Sequence, residues 1–488
     1  MAANFGQNAA VRRAAIALAL IVYAAFLLRY MSFAAAGTDS SGYLNAARGL
    51  ERGHVTVRVT PLGRLHLDDS WRELFMPVGF APAAERGMIG PFYPLGYPLH
   101  LRAAAWAGGW RLAPFFVTPL MALLSLWATY AVARELDLPD SYALAAAGLL
   151  AVAPTFVMQA VQPMSDVTAV FWCTFAILCA LRANRSARWA VACGVVFAVA
   201  VWVRPSNMLL IPAIGIAMRG RVRTLALAVA GSLPLAIVLM IVNKSLYGSP
   251  FLTGYGGVAG LFDWHYPLER VPLYGKWLAI TETPLVFPAA FFVAIDRRIP
   301  IWQRVLLPVW FAAFFIFFCC YYFVFNGSDD AWWYLRFLLP AFPALLIATM
   351  LLVRDNVPRR ALAWALIAVI AATGIRLTFF WGVQRMRIQE HTYPYAVAWA
   401  ERSLPPGALV ATMQMSGAFY YYTGRFTARY DNCDPVHFQR LRAQPGVAGL
   451  KWYAVIFDWE EGRLNLQMPG RWTRLGYCRN VMLLRLDS

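Results

Sequence analysis

The chain has 488 residues, of which 60% are hydrophobic and 14% are charged. A soluble domain has roughly 45 to 50% apolar and 25% charged residues, so a water-soluble fold could not bury this many apolar side chains. The formal charge of +18 would suggest a nucleic-acid partner in a soluble protein, but most arginines stand at the ends of apolar segments, where they contact lipid headgroups. We therefore predict a membrane protein with no nucleic-acid partner.

Apolar segments near the length of a membrane span recur eleven times along the chain. They are predicted at residues 13–34, 112–133, 142–160, 166–181, 189–203, 205–218, 224–243, 277–295, 305–325, 337–353 and 361–381. The first follows Arg12 and Arg13 and is too long for the apolar core of a signal peptide, so we expect an uncleaved span. The predicted fold class is an all-α polytopic membrane bundle of about eleven transmembrane helices.

Arginine placement predicts the orientation of these spans. If the N-terminus is cytoplasmic, the short loops on that side carry Arg134, Arg182, Arg185, Arg188, Arg219, Arg221, Arg223, Arg297, Arg298, Arg304, Arg354, Arg359 and Arg360. The opposite short loops carry almost none, as the positive-inside rule requires. Two long segments, 35–111 and 385–488, would then be extracytoplasmic. We expect a transmembrane module over 1–384 that includes the loop 35–111, and a soluble domain over 385–488.

The predicted soluble tail has alternating apolar runs at 408–413, 453–457 and 481–486, which indicate strands of a small α/β or β-rich domain. Cys433 and Cys478 both lie in this tail, and an oxidising compartment would allow them to form a disulfide. Asn326, Gly327 and Ser328 match a glycosylation acceptor, a motif that also occurs often by chance.

Polar residues just after the first span are the first candidates for chemistry. The stretch from Thr38 to Leu50 predicts a short helix lying on the membrane, with Tyr43 on its apolar face. Asp39 or Ser40 could simply cap this helix. Alternatively, the Asp39 carboxylate takes a proton from an incoming nucleophile.

A proline-rich piece follows at 91–99, with the sequence PFYPLGYPL. Its three prolines predict a structured turn or extended piece instead of a regular helix. Tyr93 and Tyr97 either anchor the chain at the membrane interface or line a substrate groove.

Charged residues near the outer ends of later spans form a further group: Asp166, Arg204 and Arg336. Each one alone could be a snorkelling or interfacial anchor. Together, two arginines facing a cavity would suit a phosphate, which guanidinium groups bind through parallel hydrogen bonds. His265 lies in an outer loop, where it is either an exposed surface residue or a catalytic or metal-binding group.

In this order and topology, the motifs resemble the lipid-dependent glycosyltransferases of the GT-C fold, in the branch of the protein O-mannosyltransferases and aminoarabinose transferases. The resemblance covers about residues 12–382. It rests on Asp39 followed by Tyr43, the late Tyr-Pro-x-Gly-Tyr-Pro piece, Asp166 opening a span after Met-Ser, and the RFLLPAFP stretch from Arg336. Many relatives have a second acid directly after the first, whereas this chain has Ser40.

The resemblance implies an inverting glycosyltransferase that moves a sugar from a polyprenyl-phosphate donor to an acceptor on the extracytoplasmic face of a bacterial inner membrane. Asp39 would be the catalytic base, and Arg336 with Arg204 would hold the donor phosphate. Tyr43, Tyr93, Asp166 and His265 are the expected substrate-binding residues. Besides the donor, the expected partners are membrane lipid and a glycan, lipid or protein acceptor, and a divalent metal remains an open option.

Two other classes of function compete with this reading. A transporter or flippase of a lipid-linked or amphiphilic solute would also need many helices and intramembrane charges, but such folds usually show repeats with matching broken helices, and the sequence shows no internal repeat. A structural or assembly role with a binding tail is the third alternative.

Overall fold

The computed structural model describes residues 2–322 and 331–487; the glycosylation motif at Asn326 lies outside them. The described chain forms two compact units. We call residues 1–31, 115–236 and 258–386 the helical unit, and residues 32–114, 237–257 and 387–488 the sheet unit.

Seven helices of the described chain are long and apolar enough to cross a membrane. They are Ala10–Tyr30, Ala113–Glu135, Ser165–Ala183, Val222–Tyr247, Ile301–Cys319, Trp332–Asn356 and Arg360–Phe380. Two bent pairs add Asp140–Val152 with Pro154–Ala160, at 65°, and Tyr266–Thr281 with Val286–Ile295, at 101°. Two shorter apolar helices are Ala187–Val203 and Pro205–Ala217. Each of the eleven predicted segments corresponds to one of these elements, and the prediction of a mostly helical membrane protein is confirmed.

Local sequence explains where the helices of the helical unit break and where they pack closely. Pro154 has no backbone N–H and opens the second half of its bent pair, where the missing donor costs nothing. Gly194 and Gly231 let two helices meet, because a Cβ on Gly194 would lie 1.9 Å from the Ala228 oxygen. A Cβ on Gly231 would lie 2.3 Å from the Val191 oxygen. Small residues of this kind are typical of close helix contacts in membranes.

The sheet unit contains two sheets. The first has the order β1-β3-β2 and is antiparallel, with β1 at Val57–Arg58, β2 at Phe80–Pro82 and β3 at Met88–Pro91. The second has the order β4-β5-β7-β6, with β4 at Leu409–Ala411, β5 at Trp452–Phe457, β6 at Trp472–Cys478 and β7 at Val481–Leu486. In it, β4 runs parallel to β5 and the other pairs are antiparallel. The helices of this unit include Thr38–Glu51, Thr60–Arg64, Gly96–Gly108, Thr392–Ser403, Ser416–Thr423, Pro435–Arg442 and Glu461–Gln467, together with the parts of Val222–Tyr247 and Met386–Glu390 that fall within its residues.

The four-stranded sheet and its helices confirm the predicted small C-terminal domain with mixed helices and strands. Three of its strands, β4, β5 and β7, are the predicted alternating runs. The sequence did not predict β6, because its residues are mostly half-buried or exposed and a register shift lies between Arg474 and Gly476. Such a strand lacks the clean alternation that identifies a half-buried strand.

Both faces of this sheet are covered by apolar side chains. One face of β5 presents Ala454 and Ile456 to a core that also holds Phe75 from the loop 35–111 and Phe438 from the tail. The other face presents Val455 to a core with residues of the helix Thr392–Ser403. The loop 35–111 was assigned from sequence to the transmembrane module, but its apolar residues share this core with the tail, so the loop belongs to the sheet unit.

The two tail cysteines belong to different faces of the sheet. Cys433 is buried in the core that contains Ala454, whereas Cys478 packs against the core that contains Val455. Successive residues of a strand point to opposite faces, so the sheet lies between the two thiols. Both are free in the structure. The predicted Cys433–Cys478 disulfide is therefore not formed.

Candidate functional site in two residue clusters

Asp39 stands in the first turn of the helix Thr38–Glu51, in the sheet unit. The residue before this helix is Gly37, at φ 54°, and no side chain caps the helix. Ser40 instead accepts a hydrogen bond from the Ala36 N–H at 2.9 Å. The Asp39 carboxylate accepts a hydrogen bond from the Tyr93 hydroxyl, which joins it to the proline-rich piece.

The surroundings of this helix differ from the prediction of a helix lying on the membrane. Residues 40–47 are all buried, polar ones included. They pack within the sheet unit against the helices Gly96–Gly108 and Ser416–Thr423, and Asn45 donates a hydrogen bond to the Gly417 oxygen at 3.0 Å. The helix is an interior element because helices of the same unit cover it on more than one side.

A close approach of two glycines sets the position of Tyr93. Gly79, at φ 86°, lies so near Gly42 that a Cβ on Gly42 would lie 2.8 Å from the Gly79 Cα and 2.8 Å from the Tyr93 ring. The Phe92 N–H donates to the Gly79 oxygen at 2.9 Å, which fixes the chain directly before Tyr93. An alanine at Gly42 would push Tyr93 away from Asp39, and an alanine at Gly79 would place its Cβ 2.4 Å from the Gly42 Cα, so glycine is required at both positions.

Three tyrosine rings pack against one another beside the Asp39 carboxylate. The Tyr43 ring lies 4.6 Å from the Tyr93 ring and 5.0 Å from the Tyr97 ring, measured between centroids. Burial, and then the negative charge of Asp39, raises the pKa of Tyr93 well above its usual value, so its hydroxyl stays protonated and remains a donor. Tyr97 is fully buried and is therefore not the interfacial anchor considered from sequence.

The proline-rich piece is only partly the turn that was predicted. Its first residues end β3 and turn, but a helix begins at Gly96 and contains Pro98 in its first turn. A proline is tolerated there because the N–H groups of the first turn have no partner within the helix.

The second cluster lies in the helical unit, where three separate span ends meet. Arg204 donates to an oxygen of Asp166 at 2.8 Å, and the Nε atom of Arg336 lies 4.0 Å from the same oxygen. The Asp166 side chain is 1% exposed, whereas those of Arg204 and Arg336 keep 12% and 21% exposure. Both guanidinium groups also lie over the Phe337 ring. The three charged residues singled out from sequence are therefore neighbours in the structure. Two arginines and one carboxylate give this cluster a net charge of +1.

His265 is not brought to either cluster. Its side chain is 90% exposed and its Nδ1 atom lies 2.7 Å from Asp263, two residues earlier. In the described ranges no group of three or more His, Cys, Asp and Glu side chains could hold a metal ion. His265 therefore has the surroundings of the surface histidine that the sequence left as an alternative.

Sequence reasoning missed Glu390, a partly buried residue of the sheet unit. Burial, and then the charge of Asp39, raises the pKa of Glu390 to about 7. A second carboxyl group is therefore within electrostatic reach of Asp39, although Ser40 stands where relatives have a second acid. No local motif marks Glu390, because some 350 residues of chain separate it from Asp39. The buried Arg270, which donates to the Tyr322 oxygen at 3.1 Å, was also not predicted.

Comparisons with known proteins agree with this architecture. Residues 106–247 match the family described as dolichyl-phosphate-mannose-protein mannosyltransferase. A comparison with curated proteins found no match. The chain is similar to the structure of ArnT from Cupriavidus metallidurans bound to undecaprenyl phosphate, with 13% identity and a TM-score of 0.58 over 96% of this chain and 97% of that one.

Two further solved structures show the same likeness. An oligosaccharyltransferase of Archaeoglobus fulgidus, in complex with Zn and sulfate, has 12% identity and a TM-score of 0.58 over 96% of this chain and 75% of its own. The arabinofuranosyltransferase AftD from Mycobacteria has 12% identity and a TM-score of 0.55 over 98% of this chain and 40% of its own. The chain is thus an integral membrane protein with the GT-C fold, as its sequence motifs predicted.

Proposed function

We propose that this protein is an inverting glycosyltransferase that moves a sugar from a polyprenyl-phosphate donor to an acceptor on the extracytoplasmic face of a bacterial inner membrane. The observation that carries the proposal is the Asp39 carboxylate, held by the Tyr93 hydroxyl next to a cluster of tyrosine rings, in a chain with the GT-C fold. The fold also favours a transferase over a transporter or an assembly role.

In this reaction, a hydroxyl oxygen of the acceptor attacks the anomeric carbon while the bond from that carbon to the carrier phosphate breaks. The electron pair of the breaking bond stays on the phosphate oxygen, and Asp39 takes the proton of the hydroxyl. One carboxylate is sufficient for such an in-line displacement, which inverts the anomeric centre. Tyr93 acts as a positioning residue, because it contacts the carboxylate and keeps it in one orientation.

The arginines of the second cluster suit the carrier phosphate. Arg204 and Arg336 stay partly exposed while Asp166 is buried, so Asp166 orients the guanidinium groups and a ligand can still approach them. Fixed guanidinium groups in a poorly hydrated place stabilise the negative charge that develops on a leaving phosphate. A net charge of +1 for the cluster suits an anion better than a neutral solute.

The proposal also includes an orientation. The loops that carry Arg182 to Arg188 and Arg219 to Arg223 would face the cytoplasm, by the positive-inside rule. The sheet unit would then lie on the other side of the membrane, where a lipid-linked donor that has crossed the bilayer is available without a nucleotide.

The test is sugar transfer in membranes supplied with a radiolabelled polyprenyl-phosphate sugar. Asp39→Asn keeps the shape of the side chain but removes proton acceptance, so turnover should fall by about 100-fold or more while donor binding persists. Asp68→Asn is the matched control, since Asp68 is a carboxylate of the same loop that only caps a short turn. Full activity in Asp39→Asn would contradict the assignment of Asp39 as the base.

A further inference from the structure

A cavity of about 380 Å³ opens in the sheet unit, beside the four-stranded sheet. Its volume is within the range of pockets that hold small ligands. The end of β5, the turn between β6 and β7, and the segment before the helix Thr392–Ser403 form its walls. The residues that matter are Glu390, Tyr393, Phe457, Trp459, Arg479 and Asn480.

One wall is aromatic and presents an open ring. Trp459 is 56% exposed, and its ring stacks on Phe457 at a centroid distance of 6.0 Å and an interplanar angle of 14°. The ring of Tyr393 contacts Phe457 from another direction at 5.2 Å. The apolar face of this indole ring is in contact with solvent. A ligand that covers the ring would bury that face, which favours binding.

The turn that carries Trp459 is held by a buried carboxylate. Glu460 is fully buried and accepts hydrogen bonds from the Phe457 N–H at 2.8 Å and from the Tyr430 hydroxyl at 2.7 Å. The Asp458 N–H donates to the Asn480 oxygen at 3.1 Å, which ties the turn to the opposite wall. The aromatic wall is therefore fixed in place before any ligand arrives.

The opposite wall is polar and equally well fixed. Arg479 has a φ of 56°, a left-handed conformation that is uncommon for arginine. Its guanidinium group donates to the Ile388 oxygen at 3.1 Å and lies 4.5 Å from the Tyr395 ring centroid. The exposed Asn480 follows directly and adds an amide that can both donate and accept.

A flat aromatic face opposite arginine, asparagine and carboxyl groups matches the chemistry of a sugar ring. The C–H groups of a sugar ring pack on an aromatic face, and its hydroxyl groups pair with planar polar side chains. A lipid chain would require an apolar groove instead. A peptide that binds by adding a strand would require an open strand edge, but β5, whose end lines the cavity, is paired on both sides in the sheet order.

We infer that this cavity is the acceptor subsite and that the acceptor is a saccharide, stacked on Trp459 and hydrogen-bonded by Arg479, Asn480 and Glu390. The inference rests on the proposed glycosyltransferase function. Tyr393 connects the cavity with the reaction, because a Cβ on Gly37, two residues before Asp39, would lie 3.8 Å from the Tyr393 hydroxyl. The charge of Asp39 also acts on the carboxyl group of Glu390.

The first test measures binding to the full-length protein in nanodiscs. Maltotriose, a mannotriose and an arabinan trisaccharide serve as probes in saturation-transfer NMR. At least one should show transfer to its ring protons, with affinity about 10-fold weaker in Trp459→Ala. Tyr477→Ala is the matched control, because Tyr477 is a 50% exposed aromatic residue of the same sheet outside the cavity, and it should bind as the wild type does. No transfer to any probe, or equal affinity in Trp459→Ala, would overturn the inference.

The second test separates this inference from the proposed function. In the radiolabel assay, Trp459→Ala should raise the acceptor KM by about 10-fold with donor binding unchanged, and the labelled product should resist protease. If the wild type transfers sugar but Trp459→Ala keeps the wild-type KM, or the product is a labelled peptide, the saccharide subsite is refuted and the transferase function stands. If the wild type transfers no sugar, the proposed function fails.

Discussion

At the scale of single residues, the hydroxyl of Tyr93 and the carboxylate of Asp39 act as a pair. A tyrosine hydroxyl that donates to a carboxylate oxygen restricts the rotation of that carboxylate. Because burial and the Asp39 charge keep the pKa of Tyr93 high, the pair does not lose its proton in any ordinary buffer. Asp39 therefore presents the same orientation across the working range of pH.

Replacing Tyr93 tests this pairing. Tyr93→Phe removes a hydrogen bond to a charged group, worth roughly 1.5 to 3 kcal/mol, so we expect turnover to fall by about 10-fold or more. Donor binding should change little, since the ring remains in place, whereas the melting temperature should fall, because the lost hydrogen bond also stabilises the fold. Tyr453→Phe is the control, a buried tyrosine of β5 away from Asp39. An unchanged kcat for Tyr93→Phe would show that Asp39 is oriented by other contacts.

The raised pKa of Glu390 predicts how the unfolding free energy depends on pH. Its carboxyl pKa, raised to about 7 by burial and then by Asp39, lies above the value of an unfolded glutamic acid. Between about pH 4.5 and 7 the folded protein therefore binds more protons at this group than the unfolded chain does, and the group's contribution to the unfolding free energy falls as pH rises. Above pH 7 the Glu390 carboxyl group is ionised in both states, and its destabilising contribution no longer changes with pH.

Glu390→Gln has no such titration. We subtract the melting temperature of the wild type from that of Glu390→Gln, both measured in nanodiscs from pH 5 to 8. This difference should increase as pH rises and level off above about pH 7. Taking the difference cancels the contribution of the other titrating groups of the unit, such as His391, because both proteins contain them. A difference that is constant over this range would contradict the raised pKa.

At the scale of elements, each cluster depends on chain segments that are distant in sequence. The Asp39 cluster depends on the crossing of Gly42 and Gly79, which brings a helix and a turn into backbone contact. The arginine cluster depends on where three spans end: Asp166 begins one, Arg204 ends another before Pro205, and Arg336 opens a third. Fixed span ends can hold charged side chains in a defined arrangement.

Arg336 gives the prediction at this scale. If it holds the carrier phosphate, Arg336→Ala should weaken donor binding as well as turnover, because that contact exists before and during transfer. Arg336→Lys should rescue both only partly, since an ammonium group is a point charge and not a planar fork. The measurement is donor affinity and kcat for both variants in nanodiscs, with Arg359→Ala, an exposed arginine outside the cluster, as control. Normal donor affinity in Arg336→Ala would contradict the phosphate role.

At the scale of the whole molecule, sequence patterns predicted the elements that repeat a simple period. Apolar length identified the seven long apolar helices, the two bent pairs and the two shorter apolar helices of the described chain, and alternation identified β4, β5 and β7. Contacts between residues that are distant along the chain leave no such pattern in the sequence. The loop 35–111 packs against the tail in the core that contains Phe75 and Phe438. Glu390 is distant from Asp39 along the chain, and only the fold brings the two carboxyl groups close enough to interact. The disulfide prediction failed for the same reason, because the two cysteines were paired by compartment without knowledge of the sheet between them.

Orientation in the membrane is the prediction that covers the whole chain. Arginine placement puts the loop 182–188 in the cytoplasm and the tail outside, so a membrane-impermeant maleimide added to intact cells should label a cysteine in the tail and not one in that loop. Gly446 is a poor place for the tail probe, because an added Cβ would lie 2.0 Å from the Leu65 oxygen.

Ala448→Cys and Ala187→Cys suit the experiment, since both positions are exposed. Both should be made in a Cys478→Ser background, because the native Cys478 thiol is half-buried and could react. Ala448→Cys should be labelled in intact cells, and Ala187→Cys only after the cells are permeabilised. The reverse pattern would invert the orientation, and Asp39 would then face the cytoplasm, where a carrier-linked donor that has crossed the membrane could not supply it.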